Sequence, residues 1–191
     1  MLINKEMDLE QEKELVERAR NDAEAFGELY DRHYPKIFGY VLRRTASIEI
    51  SQDVTSEVFL KALKNLGQFR WRGFPLSSWL YRIATNEITN YFRNNKHGQL
   101  CLEEDSNSIS ISNPSAETEL LEAEAELKRQ QDFLTLHENI SKLPVKYQEV
   151  IMLRFFENKQ IKEIGKILGK REGTVKSLLH RGLGNLRKLM E

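Results

Sequence analysis

The strongest constraint on the fold is the spacing of two glycines in residues 161–179, IKEIGKILGKREGTVKSLL. Two helices that cross through a short turn need a small residue where their backbones approach, and a residue that tolerates positive φ inside the turn. Gly165 and Gly169 stand four residues apart in those positions. The apolar residues expected to pack across the turn are Ile164, Leu168, Val175 and Leu178. This pattern predicts a helix-turn-helix, and an ordinary helical hairpin is the alternative.

The second helix of such a motif lies in the major groove of DNA, with one face packed and the other on the duplex. The inner stripe predicted from helical spacing is Val175, Leu178, Gly182, Leu186 and Leu189. The residues predicted to contact base edges or phosphates are Lys170, Arg171, Thr174, Lys176, Ser177, His180 and Arg181. Arg171 stands where a Ser or Thr cap is usual, so this helix is expected to lack a side-chain cap. A merely solvated histidine is the alternative for His180.

Helical periodicity also runs through the amino-terminal half, and no sustained β alternation occurs. Residues 98–118 are rich in Ser, Asn, Asp and Pro and predict a flexible linker. The sequence therefore predicts an all-α fold of two small helical domains, with a first domain over 1–97, an acidic linker over 98–132 and a second domain over 133–191. A capping box from Asn21 to Glu24, a break or bend at Pro35 and a helix start at Pro144 are further expectations.

Lys plus Arg equal Asp plus Glu at 29 each, but the charges are segregated along the chain. Residues 1–31 and 100–132 are acidic, whereas residues 32–99 and 133–191 are basic. Two basic blocks favour two surfaces for a polyanion, and solvated helix faces are the alternative. The single cysteine, Cys101, precludes an intrachain disulfide, and neither a signal peptide nor a membrane-spanning run is evident. A cytoplasmic location is therefore expected.

The basic block around residues 67–96 combines aromatic and cationic residues. If a helix starts near Leu76, one cationic face is formed by Arg82, Asn86, Thr89 and Arg93, opposite a stripe of Trp79, Leu80, Ile83 and Ala84. The preceding loop contains Arg70, Trp71, Arg72 and Phe74. Aromatic rings beside arginines can hold unstacked bases while the cations neutralise phosphates. Packing within the core is the alternative for the aromatic residues.

Catalysis by this chain is not expected, and the sequence indicates no cofactor or metal. The four histidines form no metal-spaced pair, and neither a phosphate-binding glycine loop nor a nucleophile elbow occurs. Two non-enzymatic alternatives remain: a stand-alone helix-turn-helix transcription regulator, and a helical adaptor that binds proteins alone.

Both halves together resemble the extracytoplasmic-function (group IV) sigma factors of bacterial RNA polymerase. The resemblance rests on SEVFLKAL, on FR followed by SSWLYRIATN, and on LPVKYQEVIMLRFFENKQIKEIGKILGKREGTVKSLLHRG. It implies a sigma domain 2, a flexible linker and a sigma domain 4. It also implies binding to core RNA polymerase at a coiled coil of the largest subunit and at the flap, binding to promoter DNA, and an anti-sigma factor as a further partner. The acidic segment 115–132 is either a spacer or the site for that inhibitor.

The resemblance also assigns roles to individual residues. It implies that the −10 element is read and melted by Phe69, Arg70, Trp71, Arg72, Ser78, Arg82, Asn86, Asn90 and Arg93, with Asn86 beside a pocket for a flipped base. It implies that Asp53, Glu57 and Phe59 dock onto polymerase. The −35 element would be read by the helix-turn-helix residues from Lys170 to Arg181 named above.

Overall fold

The structure is a computed structural model that describes residues 7–71, 73–94 and 135–191. These residues form helices and turns without a β-strand, which confirms the all-α prediction. Arg72 and the predicted linker over 98–132 lie outside the described residues. The described residues form two helical bundles, called here the N-terminal unit (7–94) and the C-terminal unit (135–191). None of the described helices is long and apolar enough to cross a membrane.

The N-terminal unit contains α1 (Leu9–Arg18), α2 (Ala23–Thr45), α3 (Ile48–Asn65) and α4 (Leu76–Asn94). A 3-10 turn, Leu66–Gln68, leads from α3 into the loop before α4. Helices α2, α3 and α4 pack against one another, and α1 packs on α2. The completely buried apolar side chains are Ile37, Tyr40, Val41, Val58, Ala84 and Ile88.

The start of α2 differs from the sequence-based expectation by one residue. Asp22, not Asn21, is the N-cap, and its carboxylate accepts from the Glu24 backbone N–H at 2.9 Å. The predicted box at Asn21 is therefore wrong. Pro35 lies inside α2 without interrupting it, since the helix continues to Thr45. Burial of Leu29 and Ile37 on either side of the proline holds the helix together despite the missing N–H.

The C-terminal unit begins with helical residues 135–141. Pro144 is the N-cap of α5 (Val145–Ile151), which continues as a π-helical turn, Met152–Phe156. Two further helices follow, α6 (Ile161–Leu168) and α7 (Glu172–Met190), and α7 packs against both α5 and α6. The expected helix start at Pro144 is confirmed.

The turn between α6 and α7 has the geometry of the predicted helix-turn-helix. Gly169 has a φ of +64°, and a Cβ on Gly165 would lie 2.8 Å from the Lys170 carbonyl oxygen. Arg171 is the N-cap of α7 and makes no side-chain cap bond, as expected. The inner stripe is buried at Val175, Leu178, Gly182 and Leu186. Leu189 was wrongly included: it is 43% exposed, because the last turn of α7 is exposed throughout, and Leu179 is buried instead.

Candidate nucleic-acid and polymerase-binding surfaces

The first candidate surface is the outer face of α7 and its approach. All seven residues predicted to contact the −35 element are exposed: Lys170, Arg171, Thr174, Lys176, Ser177, His180 and Arg181. The Ser177 hydroxyl donates to the Gly173 carbonyl oxygen at 3.0 Å, so its oxygen keeps both lone pairs as acceptors. The face therefore presents cations and hydrogen-bonding groups opposite the buried stripe, which suits a duplex in its major groove.

The second candidate surface lies on α4. Arg82, Asn86, Thr89 and Arg93 are exposed on one side of the helix, and Asn90 is half-buried beside them. Leu80 and Ala84 are buried on the opposite side, as predicted. Because all four exposed residues lie on one face, they place two cations and two polar groups side by side.

An open pocket of about 380 Å³ adjoins that face. It is lined by Lys61, Asn65, Gln68, Phe69, Trp79, Ile83, Asn86 and Glu87. Trp79 and Ile83, expected in the core stripe, are half-buried and form apolar walls of the pocket. Apolar walls and amide groups together suit a planar base, which needs both a stacking surface and hydrogen-bond partners.

Sequence reasoning missed four polar residues of this pocket: Lys61, Asn65, Gln68 and Glu87. Lys61 Nζ lies 2.6 Å from Glu87 Oε2 and 3.3 Å from Glu57 Oε1. The hydrogen bond to Glu87 is the main cause of the raised pKa of Lys61. One signal could have found the pair, since Glu87 is the single acidic residue between Glu57 and Glu103. An isolated acidic residue in a basic stretch is expected to form an ion pair with a nearby cation.

The loop before α4 is built around Phe69. Its ring centroid lies 5.1 Å from that of Trp79 and 6.1 Å from that of Trp71. Arg70 is exposed and donates to the Gly67 carbonyl oxygen at 3.2 Å. Phe69, Arg70 and Trp71 are therefore assembled at one edge of the pocket, whereas Arg72 lies outside the described residues.

Ser78 is not free to contact DNA in this arrangement. It is 6% exposed, and its hydroxyl donates to Glu163 Oε1 of α6 at 2.8 Å. Two lysines of α6 lie over the ring of Phe74, with Lys162 Nζ at 5.9 Å and Lys166 Nζ at 5.6 Å from its centroid. The C-terminal unit thus covers the end of the loop that leads into α4 while leaving Asn86 exposed.

A carboxylate directly after the π-helical turn joins the two units through two hydrogen bonds. Glu157 accepts from the Arg43 guanidinium of α2 and, at 2.5 Å, from the Tyr81 hydroxyl of α4. The Glu157 side chain is 7% exposed. Burial, reinforced by the Glu157 carboxylate, raises the pKa of Tyr81. Tyr81 therefore stays protonated and continues to donate.

A second carboxylate of the C-terminal unit, Glu149, faces the N-terminal unit. Burial raises its pKa, and the charges of Arg44 and Lys170 and a hydrogen bond from Thr89 offset part of that effect. The docked arrangement therefore favours the neutral form of Glu149 more than solvent does.

The predicted polymerase-binding face on α3 is only partly as expected. Asp53 is exposed and Glu57 is partly exposed. Phe59 is 5% exposed, and its ring packs 4.7 Å from that of Tyr30. The ring is packed against the aromatic residues of α2, so Phe59 offers little exposed surface for a polymerase contact. Leu60, which sequence reasoning missed, lies on the face of Asp53 and Glu57 and is 43% exposed.

Comparison with protein-family models identifies both units. The family described as Sigma-70 region 2 matches residues 29–98, and Sigma-70, region 4 matches residues 133–186, together more than half of the chain. The chain belongs to the sigma-70 family.

Curated relatives of this sigma factor are themselves RNA polymerase sigma factors. It is 32% identical to RNA polymerase sigma factor YlaC of Bacillus subtilis (strain 168), over 85% of this chain and 90% of that protein. It is 30% identical to ECF RNA polymerase sigma factor BldN of Streptomyces coelicolor, over 93% of this chain but 65% of BldN. These relatives confirm the resemblance to extracytoplasmic-function sigma factors.

A solved structure shares the fold. The sigma factor RpoE in complex with the anti-sigma factor NepR, from Bartonella quintana, superposes with a TM-score of 0.62 at 18% identity. The superposition covers 86% of this chain and 96% of that chain.

Proposed function

We propose that this chain is a sigma factor that binds core RNA polymerase, directs it to promoters and opens the DNA there. The observation that carries the proposal is Asn86, exposed at an open pocket with apolar and amide walls, on the same helix face as Arg82 and Arg93. The chemistry of RNA synthesis then belongs to the core enzyme, in the cytoplasm, and this chain contributes binding energy alone.

Melting follows from that geometry without nucleotide hydrolysis. Extruding and unstacking a base costs a few kcal/mol. Stacking on Phe69 and Trp79, together with hydrogen bonds in the pocket, offsets that cost once the base is out of the helix. Arg82 and Arg93 neutralise phosphates of the same strand, which adds a salt-dependent contribution.

The α7 face supplies the second contact, to the duplex of the −35 element. On α3, Asp53, Glu57 and the exposed Leu60 contact core polymerase. The C-terminal unit makes a further contact with the flap of polymerase. An anti-sigma factor is proposed as a regulatory partner, because RpoE, which has a related fold, was solved in complex with the anti-sigma factor NepR. The domain boundaries at 97 and 132 remain predictions.

The decisive experiment is transcription in vitro with purified core polymerase on a fragmented genomic library, with mapping of transcript starts. Starts that share two short motifs at a fixed separation support the proposal and define the promoter. On that promoter, Asn86→Ala should reduce open-complex formation at least tenfold and leave binding to core unchanged. Asn94→Ala, an exposed amide at the end of the same helix, is the matched control.

A stand-alone regulator is the second candidate, favoured by one observation: the α7 face is fully exposed in the described arrangement. A regulator would bind its duplex tightly and specifically without polymerase. Specific duplex binding by the free chain, together with failure to bind core polymerase, would replace the sigma-factor proposal with this one.

A further inference from the structure

The loop over residues 69–75 is held at both ends by side chains from the beginning of the chain. Arg20, two residues after α1, donates from Nη2 to the Phe69 carbonyl oxygen at 2.9 Å. Glu12, within α1, accepts at Oε2 from the Leu76 backbone N–H at 3.3 Å. The two contacts join positions that are 49 and 64 residues apart in the sequence.

The contact from Arg20 fixes the backbone of a pocket residue. Its other terminal nitrogen, Nη1, pairs with Glu17 Oε2 at 2.8 Å, so the guanidinium is oriented from α1. A hydrogen bond from a charged donor is stronger than one between neutral groups. Since the Phe69 ring forms a wall of the Asn86 pocket, holding its carbonyl helps to set the shape of the pocket.

The contact from Glu12 fixes the start of the helix that carries Asn86. The first N–H groups of a helix have no acceptor within the helix, and that end carries positive partial charge. The Glu12 carboxylate, 6% exposed, supplies both an acceptor and a negative charge there. Its other oxygen lies 3.4 Å from His33 Nε2 of α2, so the carboxylate is placed between α2 and α4.

We propose that Glu12 and Arg20 are positioning residues for the loop and pocket that read the −10 element. This inference rests on the proposed function. Neither residue lies within residues 29–98, which match region 2. A loop held at both ends loses little conformational freedom when it binds the strand. Release of either end should therefore weaken strand binding and blunt discrimination between bases at that element.

The test uses the full chain with core polymerase on the mapped promoter and on the same promoter with one −10 base substituted. Arg20→Met and Glu12→Ala should each reduce open-complex formation about tenfold, the size of effect typical of losing one charge-assisted hydrogen bond. The ratio of open-complex formation on the mapped promoter to that on the substituted promoter should fall as well, while binding to core stays unchanged. A purely structural role would leave that ratio constant.

Matched controls come from the same helix. Arg18→Met removes a cation that is 62% exposed and lies 3.6 Å from Glu28. Glu10→Ala removes an acid that is 80% exposed and pairs with Lys13. Both controls should behave as wild type. Glu12→Gln keeps an oxygen acceptor for Leu76 and should restore most of the discrimination that Glu12→Ala loses.

Hydrogen exchange on the wild-type chain supplies a measurement that needs no variant. The Leu76 amide should be protected to the level of the α4 interior. Exchange at the rate of a free amide overturns the proposal, and so does wild-type base discrimination in both Arg20→Met and Glu12→Ala. If wild type forms no open complex with core polymerase, the proposed function fails and this inference fails with it. If wild type is active and the variants match it, the inference alone fails.

Discussion

Removal of the Glu157 carboxylate should separate the two units. In Glu157→Ala, the Arg43 guanidinium and the Tyr81 hydroxyl lose their shared acceptor. A hydrogen bond to a charged group contributes about 1.5–3 kcal/mol. Arg43 is 29% exposed, so the free energy contributed by its hydrogen bond to Glu157 lies at the low end of that range. When the units separate, both donors regain water, so the loss is limited to the free energy of docking.

We therefore expect Glu157→Ala to shift the equilibrium between docked and separated units by about 2 kcal/mol, or roughly 30-fold. One fluorophore on each unit reports that shift as a change in energy transfer. Because α6 covers Ser78 and Phe74 only when the units are docked, apparent affinity for the −10 strand should rise as the separated fraction rises, up to the same factor.

The matched control is Glu138→Ala, which removes one acid of the C-terminal unit that is 63% exposed and pairs with Lys142. It should change neither energy transfer nor strand affinity. If Glu157→Ala leaves both measurements at the values of Glu138→Ala, Glu157 does not hold the units together and the reasoning is refuted.

Three further predictions concern single residues. Gly165→Ala should destabilise the C-terminal unit by about 1–3 kcal/mol, because the added Cβ meets a backbone carbonyl. Gly184→Ala adds a Cβ in open space and should stabilise α7 by up to about 1 kcal/mol. Thermal denaturation of both variants tests this pair of predictions. Burial raises the pKa of Glu149 above 4.5, so its contribution to stability is present below about pH 4.5 and is lost as pH rises through the raised pKa. Glu149→Gln should flatten that fall in a denaturant series, and an unchanged pH profile contradicts the assignment. Leu60→Asp should weaken binding to core polymerase at least tenfold, since a buried leucine contributes about 1.5–3 kcal/mol. Ile48→Asp, at the first residue of the same helix and also exposed, should leave binding unchanged.

The helix-turn-helix was predictable because its determinants are local. Gly165 and Gly169 are required by backbone geometry, one by close approach and the other by positive φ, and both requirements are visible at a spacing of four residues. The outer face of α7 follows from the same helical phase. The exposure of the last turn of α7 could not be predicted in this way, because burial of Leu189 depends on whether another helix extends that far.

The face of α3 proposed to bind polymerase was harder to predict because α3 carries apolar residues on several sides. Phe59 and Leu60 are adjacent and both apolar, and periodicity alone does not decide which one faces solvent. The ring of Tyr30 packs against Phe59, so Phe59 is buried and Leu60 is the residue that faces solvent. The sequence predicted a pocket beside Asn86 but not the charged groups that line it, since Lys61 comes from a different helix.

Long-range polar contacts lay beyond the sequence analysis for a physical reason. Arg20 and Phe69, Glu12 and Leu76, and Tyr81 and Glu157 meet across 49, 64 and 76 positions. Each pair joins groups common in any soluble helix, so no local pattern marks them. Such contacts depend on helix packing, and they become visible only when the fold is known.

The charge distribution predicts that docking of the units and binding of DNA compete. Residues 32–94 carry 10 basic and 4 acidic groups and residues 135–191 carry 12 and 6, so these two basic segments repel each other, although residues 7–31 leave the N-terminal unit as a whole with no net charge. Docking is possible because the C-terminal unit directs three of its six acids, Glu149, Glu157 and Glu163, toward the N-terminal unit. Its α7 cations meanwhile remain exposed. A promoter strand supplies far more negative charge than three carboxylates, so DNA relieves the repulsion more completely and favours separation of the units.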